Sequence, residues 1–139
     1  MKQASHQFII STSGRGLHSI DREVAVWAGG QGITSGLLTV FIPHTSASLV
    51  VQENADPDVL RDLNDYFNRI VRDGDPAFLH TSEGPDDMAS HIRSALTQTQ
   101  LSIPMVQGRL VLGTWQAIYI FEHRTAPHKR NIVLHLLGE

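Results

Sequence analysis

The segment Gly36-Leu37-Leu38-Thr39-Val40-Phe41-Ile42 constrains the fold most. It is apolar at nearly every position, rich in β-branched side chains, and closed off by Gly36 and Pro43. Such a run is expected of a strand covered on both faces, because a half-exposed strand would alternate. The chain must therefore supply layers on both sides of a sheet. Its 139 residues suffice for one domain with a single core. A hydrophobic fraction of 41% against 18% charged residues fits a folded chain and excludes a disordered one.

The remaining elements follow from local signals. Gln7–Ile10 is predicted as a first strand, followed by a glycine-rich turn at Ser13–Gly16. A helix is expected from Ser19 as cap, with Ile20, Val24, Trp27 and Ala28 as its apolar stripe and Gly29-Gly30 as its end, although Val24-Ala25-Val26 also suits a strand. Ser48–Gln52 reads as a strand. Asp56-Pro57 opens a helix to about Val71, as an N-cap with proline at N1, and Val59, Leu60, Leu63, Phe67 and Ile70 keep its period. A polar loop over 73–86 precedes a helix at about Asp87–Gln98, with Ile92, Ala95 and Leu96 expected to face inward. Strands are expected near Ser102–Gln107, Arg109–Leu112, Gln116–His123 and Asn131–Leu137. Without a regular βαβα alternation, the class is α+β. The expected architecture is one domain over residues 1–139, with a mixed or antiparallel sheet and about three helices.

Charge and composition exclude several functions. The net charge is −3 and the only basic run is His128-Lys129-Arg130, which argues against a nucleic-acid partner but leaves room for a small phosphorylated molecule. The absence of cysteine removes disulfides, thiolate metal sites and cysteine nucleophiles. The N-terminal segment MKQASHQFII is not a signal peptide, and no apolar run reaches the roughly 20 residues of a membrane span, so a cytoplasmic protein without membrane contact is expected.

Chemistry concentrates in His80-Thr81-Ser82-Glu83-Gly84-Pro85-Asp86-Asp87-Met88-Ala89-Ser90-His91, where two imidazoles and three carboxylates fall within one loop and helix start. Imidazole and carboxylate are ligands of divalent metals and the usual acid–base groups. Asp86 and Asp87 are also explained as helix-start acids, whereas Glu83 has no structural role in sequence and is the candidate acid or base. His44, in Pro43-His44-Thr45-Ser46, follows the apolar strand. Glu53 and Asn54 lie between a strand end and a helix cap, and are better candidates than Asp56 and Asp58. Gly113 in a strand-like run points to a bulge or a close approach. Trp115 is either core or a platform for a ring, and Gln116 either orients a ligand or satisfies backbone. Alternation puts Glu122 and Arg124 on one strand face and His123 on the other. Arg124, Lys129 and Arg130 are suited to phosphate.

Taken in order, PHTSASLVVQENADPDV, HTSEGPDDMASHI, GRLVLGTWQAIYIFEHR and KRNIVLHLLGE resemble the YjbQ family of secondary thiamine-phosphate synthase enzymes, from about His6 to Glu139. The resemblance implies a small α+β domain, a homotrimer with polar sites near subunit boundaries, and a metal site at His44, His80 and His91. Carried over by motif are Glu53, Asn54, Asp56, Glu83, Asp87, Gln116, Glu122 and Arg124. Ala89 and Ala117 depart from the proline and glycine of the family pattern. The activity implied joins a pyrimidine diphosphate to a thiazole phosphate. In that reaction Glu83, Asp87 and Arg124 would be catalytic, while Glu53, Asn54, Trp115, Gln116, Glu122 and Arg130 would bind substrate. A three-histidine site suits Zn²⁺ or another transition metal, whereas phosphorylated substrates bring Mg²⁺. A metal-dependent hydrolase or lyase using Glu83, and a non-catalytic metal- or ligand-binding module, are the two other functions this inventory serves.

Overall fold

A computed structural model describes residues 1–139. The elements run β1 (Lys2–Thr12), β2 (Gly16–Ser19), α1 (Asp21–Gly29), β3 (Ser35–Phe41), β4 (Ala47–Glu53), α2 (Pro57–Ile70), α3 (Asp87–Leu96), β5 (Gln100–Val106), β6 (Arg109–Leu110), β7 (Gln116–Glu122) and β8 (His128–Gly138). They form two antiparallel sheets, ordered β1-β8-β3-β5-β6 and β2-β7-β4. The α+β class and the single compact domain are as expected. No helix is long and apolar enough to cross a membrane.

The core lies between the sheets. Leu38 and Val40 of β3, Leu101 and Ile103 of β5 and Ile132, Leu134 and Leu136 of β8 meet Leu49, Ile118 and Ile120 of the smaller sheet. Helix α1 closes one end with Ile20, Val24 and Ala28, while Trp27 packs at the edge. Ile20 rather than Ser19 is its N-cap residue and makes no side-chain bond, while Ser19, in β2, accepts from the Asp21 amide through Oγ at 3.4 Å. That short strand, Gly16–Ser19, had no sequence signal beyond its glycines and exists through pairing with β7.

Strand β3 corrects the opening expectation. One face is buried, but Leu37 and Phe41 on the other are 46% and 40% exposed. Ile9, Val106 and Leu137 share this outer face, so the apolar run reflects a sheet left open on one side. Gly36 and Gly138 lie opposite each other in register, and a Cβ on either would strike the other strand's backbone.

On the far side of the smaller sheet, α2 and α3 form a third layer. Asp56 caps α2 by accepting from the Asp58 amide at 2.9 Å, and Phe67 packs edge-on against Phe121 of β7. Helix α3 reverses the expected orientation. Its buried residues are Asp87, Ala89, Ser90, Arg93 and Ser94, while Ala95 and Leu96 face out and Ile92 is half-buried. The cause is chemical, since this helix lies on strand ends whose carbonyls need donors. Ser90 Oγ donates to His123 O at 2.8 Å, and Ser94 Oγ to Ala47 O at 3.0 Å. Ala117, the departure in β7, is buried in the strand without disturbing its pairing.

Candidate functional site

The loop between α2 and α3 is pinned at its neck. Gly74 N donates to Pro85 O at 2.9 Å, and Arg15 grips Asp73 with two bonds of 2.8 and 2.9 Å while its Nε donates to His123 O. Gly84 turns the chain at φ 103°, a conformation that disfavours side chains. The loop can therefore return over the start of α3 and set His80 beside it.

His80 Nε2 lies 2.7 Å from Asp87 Oδ2 and 3.1 Å from Glu83 Oε2. One helical turn on, His91 Nε2 reaches the same Asp87 oxygen at 3.1 Å. One ligand atom from each of His80, Asp87 and His91 can be chosen so that all lie within 4.8 Å of one another. Asp87 Oδ1 accepts from Arg124 Nη1 at 2.9 Å. Arg124 also donates from Nε to Asp86 at 3.0 Å and from Nη2 to the Glu83 carbonyl at 3.0 Å, so one guanidinium joins the loop to the helix start.

Electrostatics favour ionised carboxylates here. Burial pushes the Asp86 carboxyl up, but the Thr125 amide and Arg124 outweigh it and bring it to about 2. Burial likewise opposes ionisation of Asp87. The bond from His80 and the charges of His91 and Arg124 hold it below its usual value. The bonded Asp87 raises His80, against a smaller opposing effect of desolvation.

The two aspartates stand where a helix start puts them, Asp86 at the N-cap and Asp87 in the first turn, but the Asp86 side chain is used elsewhere. Asp86 makes no cap bond with its side chain; it accepts from Arg124 and Thr125 instead. Arg124 is not on the face of Glu122. The strand ends at Glu122, which points between the sheets, fully buried, and binds Arg130 Nε at 2.8 Å; Thr12 donates to it as well. Arg130 Nη2 bonds Ser46. Both guanidiniums expected to meet phosphate are thus held by carboxylates of the same chain.

His44 stands outside the His80–Asp87–His91 group. Its Nε2 accepts from the Asn131 amide at 2.8 Å, and Asp87 is the third member of that group. Glu53, Asn54, Trp115 and Gln116 lie elsewhere. In the β4–β7 ladder Glu53 pairs with Gln116, whereas Ala47 pairs with Glu122 beside the site. Six strand positions separate these ends, about 20 Å. Asn54 Nδ2 donates to Thr114 O and Gln116 O, Gln116 Oε1 accepts from Gly113 N, and Trp115 is 64% exposed. Gly113 sits in the turn before β7, where the Gln116 side chain closes on it, rather than within a strand. Sequence reasoning missed Thr45, whose carbonyl lies 3.0 Å from His91 Nδ1, and Thr125 and Arg15; Thr45 was adjacent to a singled-out histidine, but the other two left no local signal.

Two packed antiparallel sheets, a helical third layer and an imidazole–carboxylate cluster at the mouth of a pinned loop define a small α+β protein with one concentrated polar site. Residues 6–139 match the family described as UPF0047 protein YjbQ-like, and the chain belongs to that family. A UPF0047 protein from Synechocystis sp. is 47% identical over 99% of this chain and 94% of its own length. The YjbQ protein of Salmonella typhimurium is 43% identical over 94% of each. Among solved structures, a hypothetical protein from Aeropyrum pernix K1 superposes with a TM-score of 0.87 at 31% identity, covering 100% of both chains. A YjbQ/UPF0047 family protein from Clostridium acetobutylicum gives 0.87 at 30%, covering 95% of this chain and 99% of its own.

Proposed function

We propose that this protein is a metal-dependent enzyme of hydrolase or lyase type, with a divalent transition metal held by His80, Asp87 and His91. The observation that carries this reading is the setting of His91. Its Nδ1 faces the Thr45 carbonyl and its Nε2 faces Asp87 Oδ2. A neutral imidazole has one N–H, so one acceptor would face a lone pair unless a second proton or a cation lies there. With Nδ1–H on the carbonyl, a cation between Nε2 and the carboxylate removes that conflict, as in metal-bound histidines oriented by a backbone acceptor. Two imidazoles and a carboxylate suit Zn²⁺ or a neighbouring first-row metal better than Mg²⁺.

Bound there, the cation would supply Lewis-acid polarisation of a substrate or water oxygen. Glu83, its side chain 61% exposed and 3.1 Å from His80, takes or gives a proton at Oε2. Arg124 holds Asp86, Asp87 and the Glu83 backbone in place, so it positions the site rather than meeting substrate. The thiamine-phosphate synthase activity needs cations for a leaving diphosphate. With Arg124 and Arg130 engaged by carboxylates, the hydrolytic reading is the stronger one. We also propose self-association, expected as a homotrimer, through the outer face carrying Ile9, Leu37, Phe41, Val106 and Leu137.

Elemental analysis of zinc-loaded, dialysed protein tests the centre. About one zinc per chain is expected in the wild type, with loss in both His80→Ala and His91→Ala while the fold persists by circular dichroism. Equal zinc in all three proteins would refute it.

A further inference from the structure

We infer that His44 is a neutral hydrogen-bond donor whose Nδ1–H holds an anionic substrate oxygen, a carboxylate or phosphoryl oxygen, in a hollow shared with His91. The inference rests on the metal centre proposed above and assigns to the site its means of recognising substrate.

The turn after β3 orients both histidines. Thr45 contributes the carbonyl that faces His91 Nδ1. Its neighbour His44 is anchored through its backbone amide to Ile42 O and through Nε2 to the Asn131 amide, at 3.0 and 2.8 Å. A backbone N–H can only donate, so Nε2 must present its lone pair and the neutral ring carries its proton on Nδ1. Nδ1 bonds no protein atom and is not among the buried polar atoms left without a partner, so it remains open to a ligand. His44, Thr45, His91, Ser94, Ala95 and Thr99 line one hollow of about 330 Å³, room for a small molecule that touches both rings.

Charge supports the neutral state. Burial, with the positive charges of Arg130 and His128, lowers His44 below the usual imidazole value. A fixed neutral N–H donor is suited to an oxygen that carries or gains negative charge. Ligation by His44 is the competing role. It would need the Nδ1 lone pair, moving the proton to Nε2 and setting two N–H donors against each other at Asn131.

Long-range ¹H–¹⁵N spectra of the wild type at pH 7.5 should show His44 as the Nδ1–H tautomer, and an Nε2–H tautomer would overturn the inference without any variant. Inorganic phosphate titrated calorimetrically into zinc-loaded wild type, His44→Ala and His44→Gln gives the second test. All three should hold zinc. The phosphate Kd should rise about tenfold in His44→Ala, the value of one charge-assisted hydrogen bond, and recover in part in His44→Gln, whose amide can donate. Zinc retained with unchanged phosphate affinity defeats the inference and leaves the metal centre standing. Zinc lost only from the His44 variants makes His44 a ligand and defeats it too. Zinc absent from the wild type removes both.

Discussion

At one end of the β4–β7 ladder, Glu122 and His123 are fully buried and Arg130 nearly so; Glu122 and Arg130 pair across the two sheets, and His123 Nε2 meets Ser48 Oγ on the neighbouring strand. At the other end Asn54, Trp115 and Gln116 are exposed, and their amides serve only the nearby backbone. In sequence the two ends look alike, each a strand terminus dense in polar and aromatic residues. What separates them is convergence. The first end receives β8, the pinned loop and the start of α3, which together exclude water and make each charge depend on another. The second receives one turn. Polar density marks where a site can be, and desolvation by distant segments decides where it is.

The sharpest way to break this comparison is to remove one charge from the buried end. Glu122→Ala leaves Arg130 buried beside nothing but Ser46 and should cost about 3–5 kcal/mol in urea unfolding. Gln116→Ala at the open end should stay within about 1 kcal/mol. Similar losses from both would show that the two ends are equally structured.

Acid should expose the same asymmetry. Burial first, then the charges of Arg93, Arg15 and Arg130, bring His123 down to about 3. Its folded value lies below its unfolded value, so between about pH 6.5 and 3 the unfolded chain takes up a proton that the folded chain refuses. Stability should fall by about 1.4 kcal/mol per pH unit from this group alone. His80, raised by Asp87, works in the opposite sense: its contribution is present below the unfolded value and lost as pH rises through the folded one. Urea midpoints at pH 7, 6 and 5 should drop in the wild type and drop less in His123→Gln; parallel curves would deny that His123 is buried neutral.

Asp87→Asn tests whether the buried end carries the chemistry as well as the stability. It keeps the shape but removes the charge shared by His80, His91 and Arg124. Outer partners of metal ligands are worth about 10–100-fold in affinity, so loss of a ligand should lower zinc affinity by at least about a hundredfold. A competition titration with a zinc indicator reads this, and an unchanged Kd would detach the carboxylate from the centre.

The elements were legible where periodicity was local: α2 from Pro57, β4, β7 and the loop before α3 all lie close to their expected places. The inward face of α3 was not legible, because Ser90 and Ser94 are buried to donate to the carbonyls of His123, just past β7, and Ala47 of β4, a need that no helical period encodes. The apolar character of β3 was real, but sequence cannot tell a face covered by the same chain from one left open. His80, His91 and Asp87 were legible as candidates because twelve residues hold them all. That Asp87 rather than His44 joins the two imidazoles was not legible; His44 is tied instead through Nε2 to the Asn131 amide, 87 residues away.

Trp115 gives the smallest expected effect and the clearest one for the open end. A core tryptophan would lose about 3–5 kcal/mol on truncation to alanine. At 64% exposure, in a turn that Asn54 and Gln116 hold through backbone, it has little buried area to forfeit. Trp115→Ala should therefore shift the unfolding free energy by no more than about 0.5 kcal/mol. It should also leave zinc content unchanged, since about 20 Å of strand separates it from Asp87 within the chain. A loss of several kcal/mol that grows with protein concentration would mean that a second copy covers this end in solution, and the contrast between the two ends would then belong to the isolated chain alone.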